Sequence, residues 1–112
     1  FDAHSNDTWV IKLRQLIRLL YEYNMQHPSK PLKMIGICFG HQLIAHSLNG
    51  GLAARNNRTV WEIGNKRLKF TPSFYKVFAA YANIEKLKSL TILQSHRDAV
   101  LALPTVDGCH LL

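Results

Sequence analysis

The run Met34-Ile35-Gly36-Ile37-Cys38-Phe39-Gly40-His41-Gln42-Leu43 constrains this chain more than any other stretch. An apolar segment leads into Gly-x-Cys-x-Gly and straight on into a helical pattern. That is how a strand-to-helix turn lifts one side chain out of the backbone and presents it as a nucleophile. The backbone at the top of such a turn is strained and its neighbours two positions away must be small, which Gly36 and Gly40 satisfy by carrying no Cβ. Helix N-terminal amides would point at the sulfur of Cys38, whose thiolate is the reactive form. The N–H of Phe39, the residue after the nucleophile, is placed to stabilise an oxyanion when Cys38 attacks a carbonyl. A lone cysteine at a strand end is more often a core residue; the paired glycines, the strand before and the His-Gln after favour the nucleophile here.

The flanking pattern is that of an α/β unit. Asn6 or Asp7 caps a helix whose apolar positions Trp9, Val10, Leu13, Leu16, Ile17 and Leu20 recur at helical spacing, and the helix ends before Pro28. Pro28 and Pro31 frame a loop, and residues 32–37 read as a buried strand of the parallel type. A second helix spans residues 40–48, with Asn49-Gly50-Gly51 supplying a left-handed stop. His46 reads as a helix-surface or packing histidine on that helix, and His41 as fixing local hydrogen bonds beside the nucleophile.

Beyond it, residues 52–54, 59–63 and 67–70 are short β-like pieces punctuated by Asn56-Asn57, Gly64-Asn65 and Pro72, a small antiparallel excursion beside the main sheet. Phe74, Val77, Phe78 and Tyr81 fit a short amphipathic helix or an aromatic-rich loop that packs rather than binds. Residues 90–94 form another strand, ending at a Ser95-His96-Arg97-Asp98 loop. Ligands in open α/β sheets bind outside the carboxyl ends of strands, so this loop and the Cys38 turn are expected on one rim. On the residues alone His96 is a candidate base for Cys38, since a Cys–His pair needs only spatial proximity.

At 112 residues the chain is one domain's worth. Both ends read as cut: Phe1 is not an initiator Met, and Cys109-His110-Leu111-Leu112 stops inside an apolar strand pattern. Lys and Arg number 14 against 7 Asp and Glu, a formal net charge of +7. The cations are scattered, Lys66-Arg67-Leu68-Lys69 being the densest group, and no recognition motif accompanies them, so nucleic acid is not an expected partner. Two cysteines without Cys-x-x-Cys argue against a disulfide framework or a zinc site and for a reducing compartment. No apolar run is long enough for a membrane span and no secretory signal is present, which makes the cytosol the expected location and a membrane an unexpected partner.

The nucleophile turn, continued as Gly-x-Cys-x-Gly-His-Gln, resembles that of the class I glutamine amidotransferase family. The similarity extends through Asp2-Ala3-His4 and Trp9-Val10-Ile11-Lys12-Leu13 to Gly50-Gly51, Trp61-Glu62-Ile63-Gly64, Ser95-His96-Arg97-Asp98-Ala99-Val100 and Leu103-Pro104, which look like landmarks of the family's stand-alone, GMP-synthase-like branch. The resemblance implies an α/β fold of three layers, a flavodoxin-like, mostly parallel sheet with helices on both faces and a small antiparallel excursion. It implies no cofactor and no metal.

The chemistry the resemblance implies is attack by Cys38 on a γ-glutamyl amide carbonyl, release of ammonia or an amine, and hydrolysis of the resulting thioester. The Phe39 amide would be an oxyanion donor, Gly36, Gly40 and His41 would shape the turn, and Gln42, Ser95, His96 and Arg97 would face the α-amino and α-carboxylate end of the substrate. The substrate would be glutamine, with a synthase partner as ammonia acceptor, or a γ-glutamyl peptide. The family's base lies in a His-Pro-Glu segment that this sequence does not contain, since His110 is followed by Leu111-Leu112. Its second oxyanion donor, a glycine, would precede Phe1. The expectation is therefore a partial amidotransferase domain over residues 1–112; if these residues act alone, a catalytically inactive binding module is the alternative.

Overall fold

The computed structural model describes residues 2–49, 61–80, 83, 86–100 and 104–106. It contains helices α1 (Thr8–Gln26), α2 (Phe39–Leu48) and α3 (Pro72–Val77) and strands β1 (Glu62–Lys69) and β2 (Ser89–His96), an α/β set in which α3 lies between the strands in sequence. The chain divides into two compact units, Phe1–Asn57 with Asp98–Val106, and Arg58–Arg97 with Asp107–Leu112.

In the first unit the apolar positions of α1 do what their spacing requires. Val10 and Ile17 are buried and join Ala3 and Leu43 in one core, with Leu13, Met34, Phe39, Ile44 and Leu48 packed against it. Asp7 is the N-cap residue of α1 but makes no side-chain cap bond; its own N–H donates to Ser5 Oγ at 3.1 Å. At the other end the helix stops ahead of Pro28, and the His27 N–H donates back to the Tyr23 and Asn24 carbonyls. Arg18 Nε donates to the Ser47 carbonyl at 2.9 Å, tying α1 to the last turn of α2.

Residues 32–37 depart from expectation, for they carry no strand assignment and neither described strand pairs with them. At the start of the segment the Asn24 side chain donates to the Leu32 carbonyl at 2.8 Å and accepts from the Leu32 N–H at 2.7 Å; a strand assignment needs a paired neighbour, which these residues do not have among the described strands. Ile35 and Ile37 remain 65% and 82% exposed. Asn49 is the C-cap of α2, with φ −105°; Gly50 and Gly51, the rest of the expected left-handed stop, lie outside the described residues.

In the second unit β1 and β2 pair antiparallel from Glu62↔His96 to Lys69↔Ser89. Gly64-Asn65, which reads as punctuation, is instead interior to β1. Gly64 sits at φ +137°, a backbone state open to glycine, so the strand runs through it. Strand β2 is longer than residues 90–94, and Ser95 and His96 are its last two residues rather than part of a loop; only Arg97 and Asp98 follow it. The aromatic segment is a helix: Thr71 caps α3 by accepting from the Phe74 N–H at 3.2 Å, with Pro72 following it. Phe74 stacks on Phe70 and packs on Phe78. The expected pieces at residues 52–54 and 59–60, and Tyr81, lie outside the described residues. The parallel sheet of the expected architecture is not among the described elements, whose one sheet is two-stranded and antiparallel.

Candidate functional site

Cys38 is the N-cap residue of α2 and holds φ 53° and ψ −113°. Among the described residues only Asn83 is another non-glycine with positive φ. A side chain in this region is strained by about 1–3 kcal/mol, and such strain persists only where the surroundings over-determine it. Those surroundings are short hydrogen bonds across the turn: the Gly40 N–H donates to the Ile37 carbonyl at 3.0 Å, and the Gln42 N–H to the Cys38 carbonyl at 3.2 Å. The result is an exposed thiol at the start of a helix.

The two glycines contribute unequally. A Cβ on Gly36 would stand 2.7 Å from the Gly40 carbonyl carbon and oxygen and from the His41 nitrogen, all backbone atoms that cannot swing aside. Nothing lies within 4 Å of a Cβ on Gly40. The requirement for a missing side chain therefore applies at Gly36, where the incoming chain passes against the first turn of α2, and not at Gly40. Phe39 turns its ring toward Trp9 of α1, with centroids 5.7 Å apart, and so packs the beginning of α2 against α1.

Gln42 is engaged within this unit. Its Nε2 donates to the Asp98 carbonyl at 2.7 Å, which ties α2 to the segment that follows β2. The side-chain carbonyl oxygen and the second N–H remain for other partners. His41 makes no ring hydrogen bond among the described residues, and partial desolvation lowers its pKa below the usual histidine value, so it is neutral at pH 7. His46 is a packing histidine as expected, half-buried and in contact with His4 and Arg14.

Ser95, His96 and Arg97 belong to the other unit. Ser95 is exposed on β2. His96 faces its cross-strand partner Glu62, with Nε2 3.8 Å from the carboxylate, and its Nδ1 is buried with no hydrogen-bond partner among the described residues. The Arg97 guanidinium lies 5.9 Å from the Trp61 ring centroid, within cation–π range. The Gln42–Asp98 tie was not legible in the sequence, because a bond over 56 positions has no local signal. No helix among the described residues is long and apolar enough to cross a membrane.

Comparison with known proteins gives relatives along nearly the whole chain. It is 32% identical over 103 residues to γ-glutamyl peptidase 5 of Arabidopsis thaliana, which covers 92% of this chain and 37% of that protein. It is 31% identical over 103 residues to γ-glutamyl peptidase 3 of the same plant, covering 92% and 38%. A protein of Schizosaccharomyces pombe named for its likeness to glutamine amidotransferases is 28% identical over 111 residues, covering 98% and 38%. The chain thus spans a little over a third of the length of these relatives. No family model and no solved structure matches it.

Proposed function

We propose that this chain, a relative of the class I glutamine amidotransferase-like proteins, is the nucleophile-bearing part of a hydrolase that acts on γ-glutamyl amides through a Cys38 thioester. The observation that carries the reading is the backbone of Cys38, strained at φ 53° in a turn pressed closed at Gly36, with its thiol exposed at a helix start. In the proposed reaction the histidine base takes the Cys38 thiol proton, Cys38 Sγ attacks the γ-carbonyl carbon, the carbonyl oxygen becomes an oxyanion held by the Phe39 N–H, and as it collapses the C–N bond breaks and the amine leaves with the proton the histidine had taken. Water, giving a proton to the same histidine, then attacks the thioester carbonyl, breaks the C–S bond and releases the γ-carboxylate, and the proton returns to the Cys38 thiol. Gln42, Ser95, His96 and Arg97 face the α-amino and α-carboxylate end of the substrate in this reading. The base is a histidine of a His-Pro-Glu segment in the parent protein, and the second oxyanion donor is a glycine preceding Phe1.

The finer architecture belongs to the same proposal. Residues 32–37 form one strand of a parallel, flavodoxin-like sheet in the parent protein, and the exposure of Ile35 and Ile37 supports this. So does an open apolar groove of about 290 Å³ between α1, residues 34–36 and α2, lined by Leu13, Ile17, Leu20, Met34 and Leu43. Strands buried on both faces read as continuous apolar runs, as this one does.

Two leaving groups are compatible with this chemistry. The relatives named γ-glutamyl peptidases favour a γ-glutamyl peptide; glutamine, feeding ammonia to a synthase partner, is the second reading, favoured by the amidotransferase-like relative. The test is amine release from a γ-glutamyl peptide against ammonia release from glutamine by the full-length parent protein. Cys38→Ser should abolish both while leaving the fold intact, and hydrolysis retained in that variant would overturn the proposal.

A further inference from the structure

Four side chains in the first unit form a line whose hydrogens can be placed by elimination. Arg14 Nη1 lies 3.1 Å from His46 Nε2, and a guanidinium only donates. His46 Nε2 is therefore an acceptor, and a neutral His46 must carry its proton on Nδ1. That nitrogen lies 3.2 Å from His4 Nδ1, which must then accept. The His4 proton is left on Nε2, pointing to the side of Asp2, whose carboxylate is 3.9 Å away. Arg14, His46 and His4 thus form a hydrogen-bonded chain running in one direction, with Asp2 at its end 3.9 Å from His4, beyond hydrogen-bond range, and a neutral His46 has a single permitted tautomer.

From this geometry we infer that the chain is an acid-released clasp, holding the segment around residues 2–5 against α1 and α2 while His46 is neutral. A proton added to His46 would sit on Nε2 and confront the Arg14 guanidinium. That proton breaks the bond between α1 and α2 at the head of the line. The segment it holds is part of the fold: Ala3 is buried in the core, and its carbonyl accepts from the same Arg14 Nη1 at 3.3 Å.

The groups facing the pair come from every element around it. Helix α1 contributes Arg14 and Arg18, α2 contributes His46 itself, and the N-terminal segment contributes His4 and Asp2. The segment after β2 contributes Asp98, which brings a carboxylate oxygen within 4.8 Å of Asp2 and His4 ligand atoms. A cation bound through His4 Nδ1 would break a bond of the line, and the cluster is assigned no metal. Burial, His4, Arg14 and Arg18, in that order, lower the pKa of His46, with Asp2 opposing them. A lowered histidine pKa means that the unfolded chain takes up the proton first. The stability due to the clasp is complete above the ordinary value of 6.5 and declines as pH falls below it.

Nitrogen-15 spectra of the full chain labelled at histidine, assigned with His4→Gln and His46→Gln, test this directly. At pH about 7.5 the His46 proton should be on Nδ1. On acidification, exchange protection of the Ser5 N–H, which donates to the Asp2 carbonyl, should fall by up to about tenfold per pH unit from the ordinary histidine value of 6.5 down to the His46 midpoint and level off below it. Arg14→Met should raise the His46 midpoint and free its tautomer. A His46 proton on Nε2 in the unsubstituted protein would overturn the inference. So would Ser5 protection that ignores the histidine titration, and both readouts are available even if a variant fails to fold.

Discussion

Alanine at Gly36 and alanine at Gly40 should change stability in opposite directions. At Gly36 the added Cβ meets three backbone atoms at 2.7 Å, where ordinary contact begins near 3.4 Å, so the turn must open by several tenths of an ångström. Overpacking of this kind costs about 1–3 kcal/mol. At Gly40 the methyl group enters open space inside α2, and exchanging a helix glycine for alanine stabilises by roughly 0.5–1 kcal/mol. The two variants should therefore lie about 1.5–4 kcal/mol apart in urea unfolding, on the sum of those two effects. Opening the turn also disturbs the Gly40–Ile37 hydrogen bond that holds Cys38 in place, so Gly36→Ala should alter the alkylation rate of Cys38 while Gly40→Ala leaves it nearly unchanged. Equal destabilisation by both substitutions, or a neutral Gly36→Ala, would refute the close approach on which the turn's geometry depends.

Other substitutions probe separate parts of the account. Cys38→Gly should be more stable than Cys38→Ala by about 1 kcal/mol or more, because glycine relieves the positive φ; identical melting of the two variants would argue that no strain is stored there. Gln42→Ala, which removes the bond to the Asp98 carbonyl, should cost about 1 kcal/mol and speed exchange around residue 98, and unchanged exchange there would count against the tie. Thr71→Ala should cost about 1 kcal/mol through loss of the α3 cap, read as a lower midpoint in urea. Leu43→Ala, at a residue 2% exposed in the core, should cost about 2–5 kcal/mol.

What could be read from the sequence was local. The apolar spacing of Val10, Leu13 and Ile17, the aromatic-rich spacing of Phe74 and Val77 and the β-rich run at residues 90–94 each carry their instruction within a few positions, and each appears in the structure. Cys38 was legible for the same reason, since its two glycines are adjacent in the motif, although only one of them meets a steric limit. Gly64-Asn65 misled because a glycine that ends one strand is indistinguishable in sequence from one that lets a strand continue at φ +137°. Residues 32–37 read as a strand from composition, but a ladder needs a partner, and neither described strand pairs with them. The Arg14–His46–His4 line and the Gln42–Asp98 bond join residues far apart in the chain, so no window along the sequence contains them.

The central claim is that Cys38 becomes covalently γ-glutamylated during turnover. Incubating the full-length parent protein with a γ-glutamyl peptide, quenching in acid and mapping peptides by mass spectrometry tests it most directly. The account predicts a γ-glutamyl adduct on the peptide containing Cys38 and none on the peptide containing Cys109, the other cysteine. Substrate hydrolysis by an enzyme whose Cys38 stays unmodified throughout, or hydrolysis that survives Cys38→Ser, would contradict it.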